Sequence, residues 1–410
     1  MPSPSGPLHG LRVIDLTSIV MGPYATQMLA DYGADVIKVE SPGGDVMRKT
    51  GPMRNADMGA MYLQMNRNKR SIVLDLKQTA ARDALIRLCK TADILLHNVR
   101  LRSMRRLKLG PEDLAAVNPR LIYASLIGFG EMGPYAGRPA YDDLMQGFCA
   151  IPTLSMRAGA EEPRYVPLAF IDRLVGMSAV PAVLAAVIHR ARTGMGQSIE
   201  IPMFETMSQF VLSDHLGGHS FEPPIGEMGY SRILSVHRAP YRTRDGYVCL
   251  LVYNDKQWKE FFEAIGRADE FASNPRFSNQ TARAQHYDEI YGFVAEALRT
   301  KTTAEWIAIF RRHDLPCAPM NDLTALRNDP HLEVVGFFEL REHPSEGKLR
   351  YLGIPGRWSH SQPDIYRDAP RLGEHSVEIL REAGMEEAEI NSLIKSGACF
   401  SADTAVQPAK

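Results

Sequence analysis

The sequence predicts an α/β protein whose main part is a parallel sheet covered by helices, joined to a smaller α+β unit. Apolar runs rich in β-branched residues alternate with amphipathic helical segments across short loops, the pattern of repeated βαβ units. Near Gly218 the character of the sequence changes. The length, 410 residues, exceeds one average domain and suits two domains or a large one carrying an insertion.

LRVIDLT (11–17) and DVIKVE (35–40) read as strands, with ATQMLADYG between them as a helix ending at Gly33. SIVLDL (71–76), a helical AARDALIRLCKTA, DILLHNV (93–99), a short helix after Pro111 and LIYASLIGFG (121–130) continue the rhythm. Next come a Gly/Pro-rich stretch, GFGEMGPYAGRPAYDD, a loop rich in small residues, and an apolar helix over about 174–192; loops this long in α/β proteins carry function. PYRTRDGYVCLLVY reads as a hairpin turning at Asp245-Gly246, followed by helices over 256–265, 282–298 and 304–313. From Asn321 strand-like pieces alternate with turns, HSVEILREAG and EEAEINSLIKSG read as helices, and the tail after Phe400 is expected to fray.

A net charge of -1 with 23% charged residues sets up no global field for nucleic acid or an anionic membrane, so small molecules are the expected partners. The five cysteines are far apart and form no C-x-x-C pair, which argues against a disulfide framework or a structural zinc and for a reducing compartment. MPSPSGPLHG lacks the features of a signal peptide, and the longest apolar stretch, 174–188, is short for a bilayer and contains Pro181. A cytoplasmic protein is expected, without membrane or nucleic-acid partners.

Gly128-Phe129-Gly130-Glu131-Met132-Gly133 matches a dinucleotide fingerprint by spacing, but Pro134, Gly137 and Pro139 follow where a helix would have to begin. Dinucleotide binding is therefore disfavoured. Asp172 lies where an extended apolar run meets the long apolar helix. It can be read as an N-cap, or as a reactive carboxylate kept ionised by first-turn amides that could also hold an oxyanion. Gly176, one turn on, leaves room for a ligand or for helix packing. There is no G-x-S-x-G, H-E-x-x-H or P-loop. His237 with Arg232 and Arg238 can clamp a carboxylate or form a solvated basic loop.

GLRVIDLTSIVMGPYATQMLADYGADVIKVE, NRNKRSIVLDLK, YASLIGFGEMGPYAGRPAYD, the stretch around IDRLVGM and APRLGEHS (369–376) together resemble the class III CoA transferase family, from about Leu11 to beyond His375. That group includes formyl-CoA transferase, carnitine-CoA transferase and succinyl-CoA-dependent dicarboxylate transferases. The resemblance implies a Rossmann-like large domain built from both chain ends, here 1–220 and 326–410, a small α+β domain over 221–325, and an interlocked homodimer. It implies that Asp172 is the nucleophile, acylated during transfer of CoA from an acyl-CoA donor, with succinyl-CoA first in line, to a carboxylic and in particular a dicarboxylic acid. CoA contacts are implied at Val20, Met21, Leu74, Lys77, Asn98, Val99, Arg100 and Arg106, and a pair beside the thioester at Tyr141 and Asp142. Arg173, Arg232, His237 and Arg238 are candidates for the acceptor carboxylate. Coenzyme A is implied as substrate, with no tightly bound cofactor or metal.

Some positions depart from formyl-CoA transferase: a loop glutamine there is Val20 here, a phosphate-binding arginine is Ser41, and no GGGG loop lies between His219 and Tyr241. These departures argue against formyl and oxalyl substrates. The related α-methylacyl-CoA racemases place a histidine where Tyr141 stands. A tyrosine hydroxyl ordinarily titrates near 10 and makes a poor base at neutral pH, so transferase is preferred to racemase. A CoA-binding protein without catalysis is the remaining alternative.

Overall fold

In a computed structural model, residues 6–402 are described. Six strands, β1 (Arg12–Leu16), β2 (Asp35–Glu40), β3 (Lys69–Leu74), β4 (Ile94–His97), β5 (Ile122–Ile127) and β6 (Ser198–Pro202), pair in parallel. β7 (Tyr241–Arg242), β8 (Tyr247–Leu250) and β9 (Cys317–Pro319) make a small antiparallel sheet, and β10 (Phe338–His343) pairs with β11 (Gly347–Leu352). The final strand, β12 (Cys399–Phe400), returns to the large sheet antiparallel to β3, giving the order β12-β3-β2-β1-β4-β5-β6.

Period-two patterning sorts the two faces of β1 to β3. Ile14, Leu16, Ile37, Val39, Ile72 and Leu74 point into one apolar core, which is closed by Ala81, Leu85 and Leu88 of the helix Thr79–Thr91. Ile379 and Leu380 of the helix Ser376–Glu382, with Ile390 and Leu393 of the helix Glu387–Lys395, complete it. Each fully buried leucine or isoleucine there contributes roughly 1.5–3 kcal/mol. The alternate positions carry Asp15, Lys38, Glu40 and Ser71, all buried: Ser71 donates to Glu40, Lys38 pairs with Asp45, and Asp15 pairs with Lys69. Both faces of the sheet are thus covered, as a parallel sheet requires.

The chain divides into two compact units. The larger takes the described residues up to Cys149, then Val166–Gln209, and the chain from Leu332 on; the smaller takes Ala150–Tyr165 and Phe210–His331. This division departs from the expected blocks 1–220, 221–325 and 326–410: residues 150–165 group with the smaller unit, and the boundaries fall inside the helix Met203–His215 and at 331/332. The smaller unit has its own aromatic core, built on Trp258, Phe261, Phe262, Phe277, Trp306 and Phe310.

Three sequence expectations change. The segment 282–298 is two helices, Gln280–Ala284 and Tyr287–Leu298, broken at Gln285-His286. The region read as a small-residue loop contains the helices Asp142–Phe148 and Ile151–Arg157. The apolar helix starts earlier than expected and spans Phe170–Thr193, 24 residues, long and apolar enough to cross a membrane by length and composition. It packs instead on α1 (Met21–Asp31), β5 and β6, burying Ile171, Val175, Ala179, Val180 and Val183. The last eight residues, within the tail expected to fray, lie outside the described residues.

Candidate active site at the sheet switch point

The strand order places successive connections on opposite sides of β1: the chain runs outward through β2 and β3, then crosses back to β4 and β5. The carboxyl ends of β1 and β4 therefore diverge at a crevice, the place where open α/β sheets bind ligands. A pocket of about 250 Å³ opens there. Its walls are Ser18 to Met21 after β1, Asn98 and Arg100 after β4, and Leu126 to Phe129 at the end of β5, with Tyr141 and Asp172 also lining it. Of the sequence-derived candidates, Val20, Met21, Asn98, Arg100, Tyr141 and Asp172 share this pocket.

The others lie elsewhere. Leu74 is buried at the end of β3, Lys77 is exposed just beyond it, and Arg106 is exposed at the end of the helix Leu101–Arg106. Val99 packs against the apolar core. The Arg173 guanidinium sits 4.8 Å from the centroid of the Tyr24 ring on α1. Arg232, His237 and Arg238 belong to the smaller unit. There Arg232 Nε and Nη1 donate to the hydroxyls of Tyr230 and Tyr291 at 3.3 and 3.4 Å, and its guanidinium lies over the Tyr230 and Tyr253 rings. The His237 ring rests against Gly292, so Arg232 and His237 meet the same helix, Tyr287–Leu298. Among the described residues Arg232 has no carboxylate partner.

Asp172 is not the N-cap. Ala169 holds that position, and Asp172 falls in the first turn of the helix. The first-turn amides are taken by Asp142, whose Oδ2 accepts from Ile171 N at 2.8 Å and Asp172 N at 3.0 Å. Gln146 Nε2 donates to Asp142 Oδ1 at 2.7 Å, while its Oε1 accepts from Val166 N at 2.9 Å. The expectation that first-turn amides keep Asp172 ionised is therefore overturned. Burial pushes its carboxyl up to about 7, the negative Asp142 adds to the rise, and Arg173 opposes it. The cause is that a desolvated carboxylate beside a second one is costly to ionise.

Gly176 serves packing: a Cβ there would lie 2.6 Å from the Met21 carbonyl oxygen, so its absence lets the Asp172 helix approach the start of α1. α1 itself opens at Val20 without a side-chain cap. Gly128 allows a second close approach, since a Cβ there would meet Ala140 Cβ at 2.2 Å. The hexapeptide 128–133 opens no helix; turns follow it, and the next helix begins at Asp142. Ile19, Glu131, Arg138 and Met203 also line the pocket and were not anticipated. Arg138 stood in the family-like GRPAYD stretch, but Met203 becomes a neighbour only through β6, which sequence reading missed.

Residues 8–376 match the model of CoA-transferase family III. The chain is a member of that family. A succinate–glutarate CoA-transferase of Agrobacterium fabrum is 32% identical over 395 residues, 93% of this chain and 97% of the relative. A formyl-CoA:oxalate CoA-transferase of Escherichia coli O157:H7 is 32% identical over 416 residues, 95% of this chain and 98% of the relative. Among solved structures, a CAIB/BAIF family protein from Brucella suis superposes with a TM-score of 0.77 at 31% identity, covering 92% of this chain and all of that one. As a family III member the protein is a CoA-transferase, with acyl-CoA and carboxylate substrates.

Proposed function

We propose that the enzyme moves CoA from an acyl-CoA donor, with succinyl-CoA the leading candidate, to a dicarboxylic acid through covalent intermediates on Asp172. The observation that carries this reading is a carboxyl group, pushed up to about 7, lining the switch-point pocket beside residues matched to CoA contacts. A poorly solvated carboxylate is a stronger nucleophile than one in water, and near neutrality enough of it is ionised to react.

An Asp172 oxygen attacks the donor thioester carbonyl; the C–S bond breaks, leaving a mixed anhydride and CoA thiolate. The thiolate attacks the aspartyl carbonyl and expels the donor carboxylate, giving an aspartyl-CoA thioester. The acceptor carboxylate attacks that thioester, again releasing thiolate, which recaptures the acceptor acyl group and regenerates Asp172. One carboxylate thus serves both halves of the exchange. With the amides at the Asp172 helix occupied by Asp142, the uncapped first turn of α1 supplies the positive dipole for the thioester oxyanion. The steps call for no metal or redox group.

The dicarboxylate preference is supported by the succinate–glutarate relative and by Arg232, a guanidinium held by tyrosine hydroxyls and rings rather than by a carboxylate. We also propose a homodimer, supported by Leu144, Phe148, Leu168, Met177 and Ile188, which the larger unit leaves exposed. A stable, active monomer in sedimentation at micromolar concentration would contradict it. Trapping tests the covalent reading. Acyl-CoA with hydroxylamine or borohydride, followed by peptide mass analysis, should mark Asp172, and an Asp172→Ala protein with full transferase activity would remove the mechanism.

A further inference from the structure

Much of the sequence that carries the family resemblance never reaches the pocket. Asp15 of β1, Lys38 and Glu40 of β2, Lys69 and Ser71 of β3, and Pro370 meet instead on the sheet face turned away from the apolar core, all buried. Glu40 accepts from Arg48 Nε and Nη2, each at 2.7 Å, and from Ser71 Oγ at 2.8 Å, while Arg48 also donates to the Pro370 carbonyl. Glu40 accepts from the Asp45 backbone amide at 3.0 Å as well, which fixes where Asp45 stands.

Two members of this network reach the pocket wall through the backbone. Lys38 Nζ donates to the Thr17 carbonyl at 3.0 Å and to Asp45 Oδ2 at 2.9 Å. Asp45 Oδ1 accepts from the Ile19 amide at 3.2 Å. Between those anchors the Ser18 backbone is held by Asn98 in both directions, at 3.0 and 2.8 Å. Ile19 has φ +74°, a left-handed conformation that a β-branched residue adopts only under constraint.

We propose that Lys38 and Asp45 are positioning residues for CoA transfer, holding the loop from Thr17 to Met21 with Ile19 in its left-handed conformation so that Val20, Met21 and the first turn of α1 meet the acyl-CoA donor. This rests on the reading that the switch-point pocket takes the donor. Released from the Asp45 carboxylate, Ile19 relaxes toward an extended conformation, and its peptide with Val20 rotates. Both side chains are essentially without solvent exposure, 0% and 1%, so water cannot replace either partner. A purely structural pair of this kind is replaceable by uncharged groups of similar volume; a positioning pair is not.

The Lys38→Met/Asp45→Leu double variant removes both charges together, leaves neither unpaired and takes away the acceptor of the Ile19 amide. It should retain a cooperative thermal transition, lose about 10- to 100-fold in donor kcat/KM, and keep the acceptor KM within about twofold. Adding Ile19→Gly, which adopts positive φ without steric cost, should recover about threefold or more of the loss. A folded double variant with donor kcat/KM within about twofold of the parent would overturn the proposal, as would a loss shared equally by the acceptor KM and untouched by Ile19→Gly. If the double variant does not fold, a second pair decides. Asp45→Asn keeps an oxygen for the Ile19 amide and Asp45→Ala does not, so the alanine variant should fall about tenfold further in donor kcat/KM, and equal values would overturn the proposal. The readout is CoA exchange itself, so an active Asp172→Ala protein would remove the nucleophile assignment without touching this result.

Discussion

Asp142 caps the helix that carries Asp172: its carboxylate accepts from the Asp172 backbone amide at 3.0 Å and from that of Ile171 at 2.8 Å. Asp142→Ala removes a cap and should cost about 1–2 kcal/mol in denaturant unfolding. Asp142→Asn keeps an acceptor for the amides but presents a donor to Gln146, and it removes the negative charge that helps raise the Asp172 pKa. The acidic limb of its donor kcat/KM profile should move to lower pH, whereas an unmoved limb would deny the electrostatic coupling.

On the proposed mechanism the Asp172 carboxyl attacks in its ionised form, so donor kcat/KM should fall about tenfold per pH unit below about 7 and level off above it. Steady-state rates from pH 5 to 9 check this. A limb near pH 4 would mean an ordinary, solvated aspartate.

Stability runs the opposite way. Because burial raises the folded-state pKa above that of an ordinary aspartate, about 4, ionising Asp172 destabilises the fold, and the protein loses stability as pH rises from about 4 to about 7. Asp172→Asn should therefore be more stable than the parent at pH 8, on the order of 2 kcal/mol after allowance for partial exposure, with the gap closing toward pH 4. Thermal melts of both proteins across that range suffice.

At Gly176 an added methyl group would lie 2.6 Å from the Met21 carbonyl oxygen. Gly176→Ala should destabilise by about 1–3 kcal/mol through overpacking and should lower donor kcat/KM more than acceptor kcat/KM, because it pushes on the start of α1. Equal effects on both substrates would place its role in packing alone.

Arg232→Ala tests acceptor choice. A charge-assisted contact contributes about 1.5–3 kcal/mol, so kcat/KM for a dicarboxylic acceptor should fall roughly ten- to a hundredfold while a matched monocarboxylic acid changes little. Equal loss for both acids would remove the clamp.

The alternating strands and helices were legible because a parallel sheet buried on both faces writes itself as apolar runs, and DVIKVE matches β2 residue for residue. The family-like segment around Asp172 also pointed to a residue that the fold places in the wall of the switch-point pocket. What the sequence hid was the partner of each polar group. Asp15, Lys38 and Glu40 look like interruptions in strand patterns until the fold pairs them, and Asp142 reads as a thioester neighbour until its carboxylate is found on the amides of Ile171 and Asp172. β6 was missed because SIEIP is short, with an exposed first residue and a closing proline. The cap reading of position 172, one of the two left open, fails because the helix starts at Phe170, which the sequence cannot show.

The placement of β12 bears on how the protein is made. The strand that covers the outer edge of β3, and the two helices that close the apolar core beneath it, come from residues 376–400. A ribosome delivers them after every other strand of the large sheet. Until then β3 presents an open edge and Ile72 and Leu74 lack part of their cover, whereas the smaller unit has its whole chain available once residue 331 has emerged. The inserted unit can therefore mature while its host is still waiting for its final strand, which makes the nascent larger unit the part exposed to aggregation and to chaperones. Chains ending before Cys399 should accumulate in inclusion bodies even though every residue lining the switch-point pocket is already present.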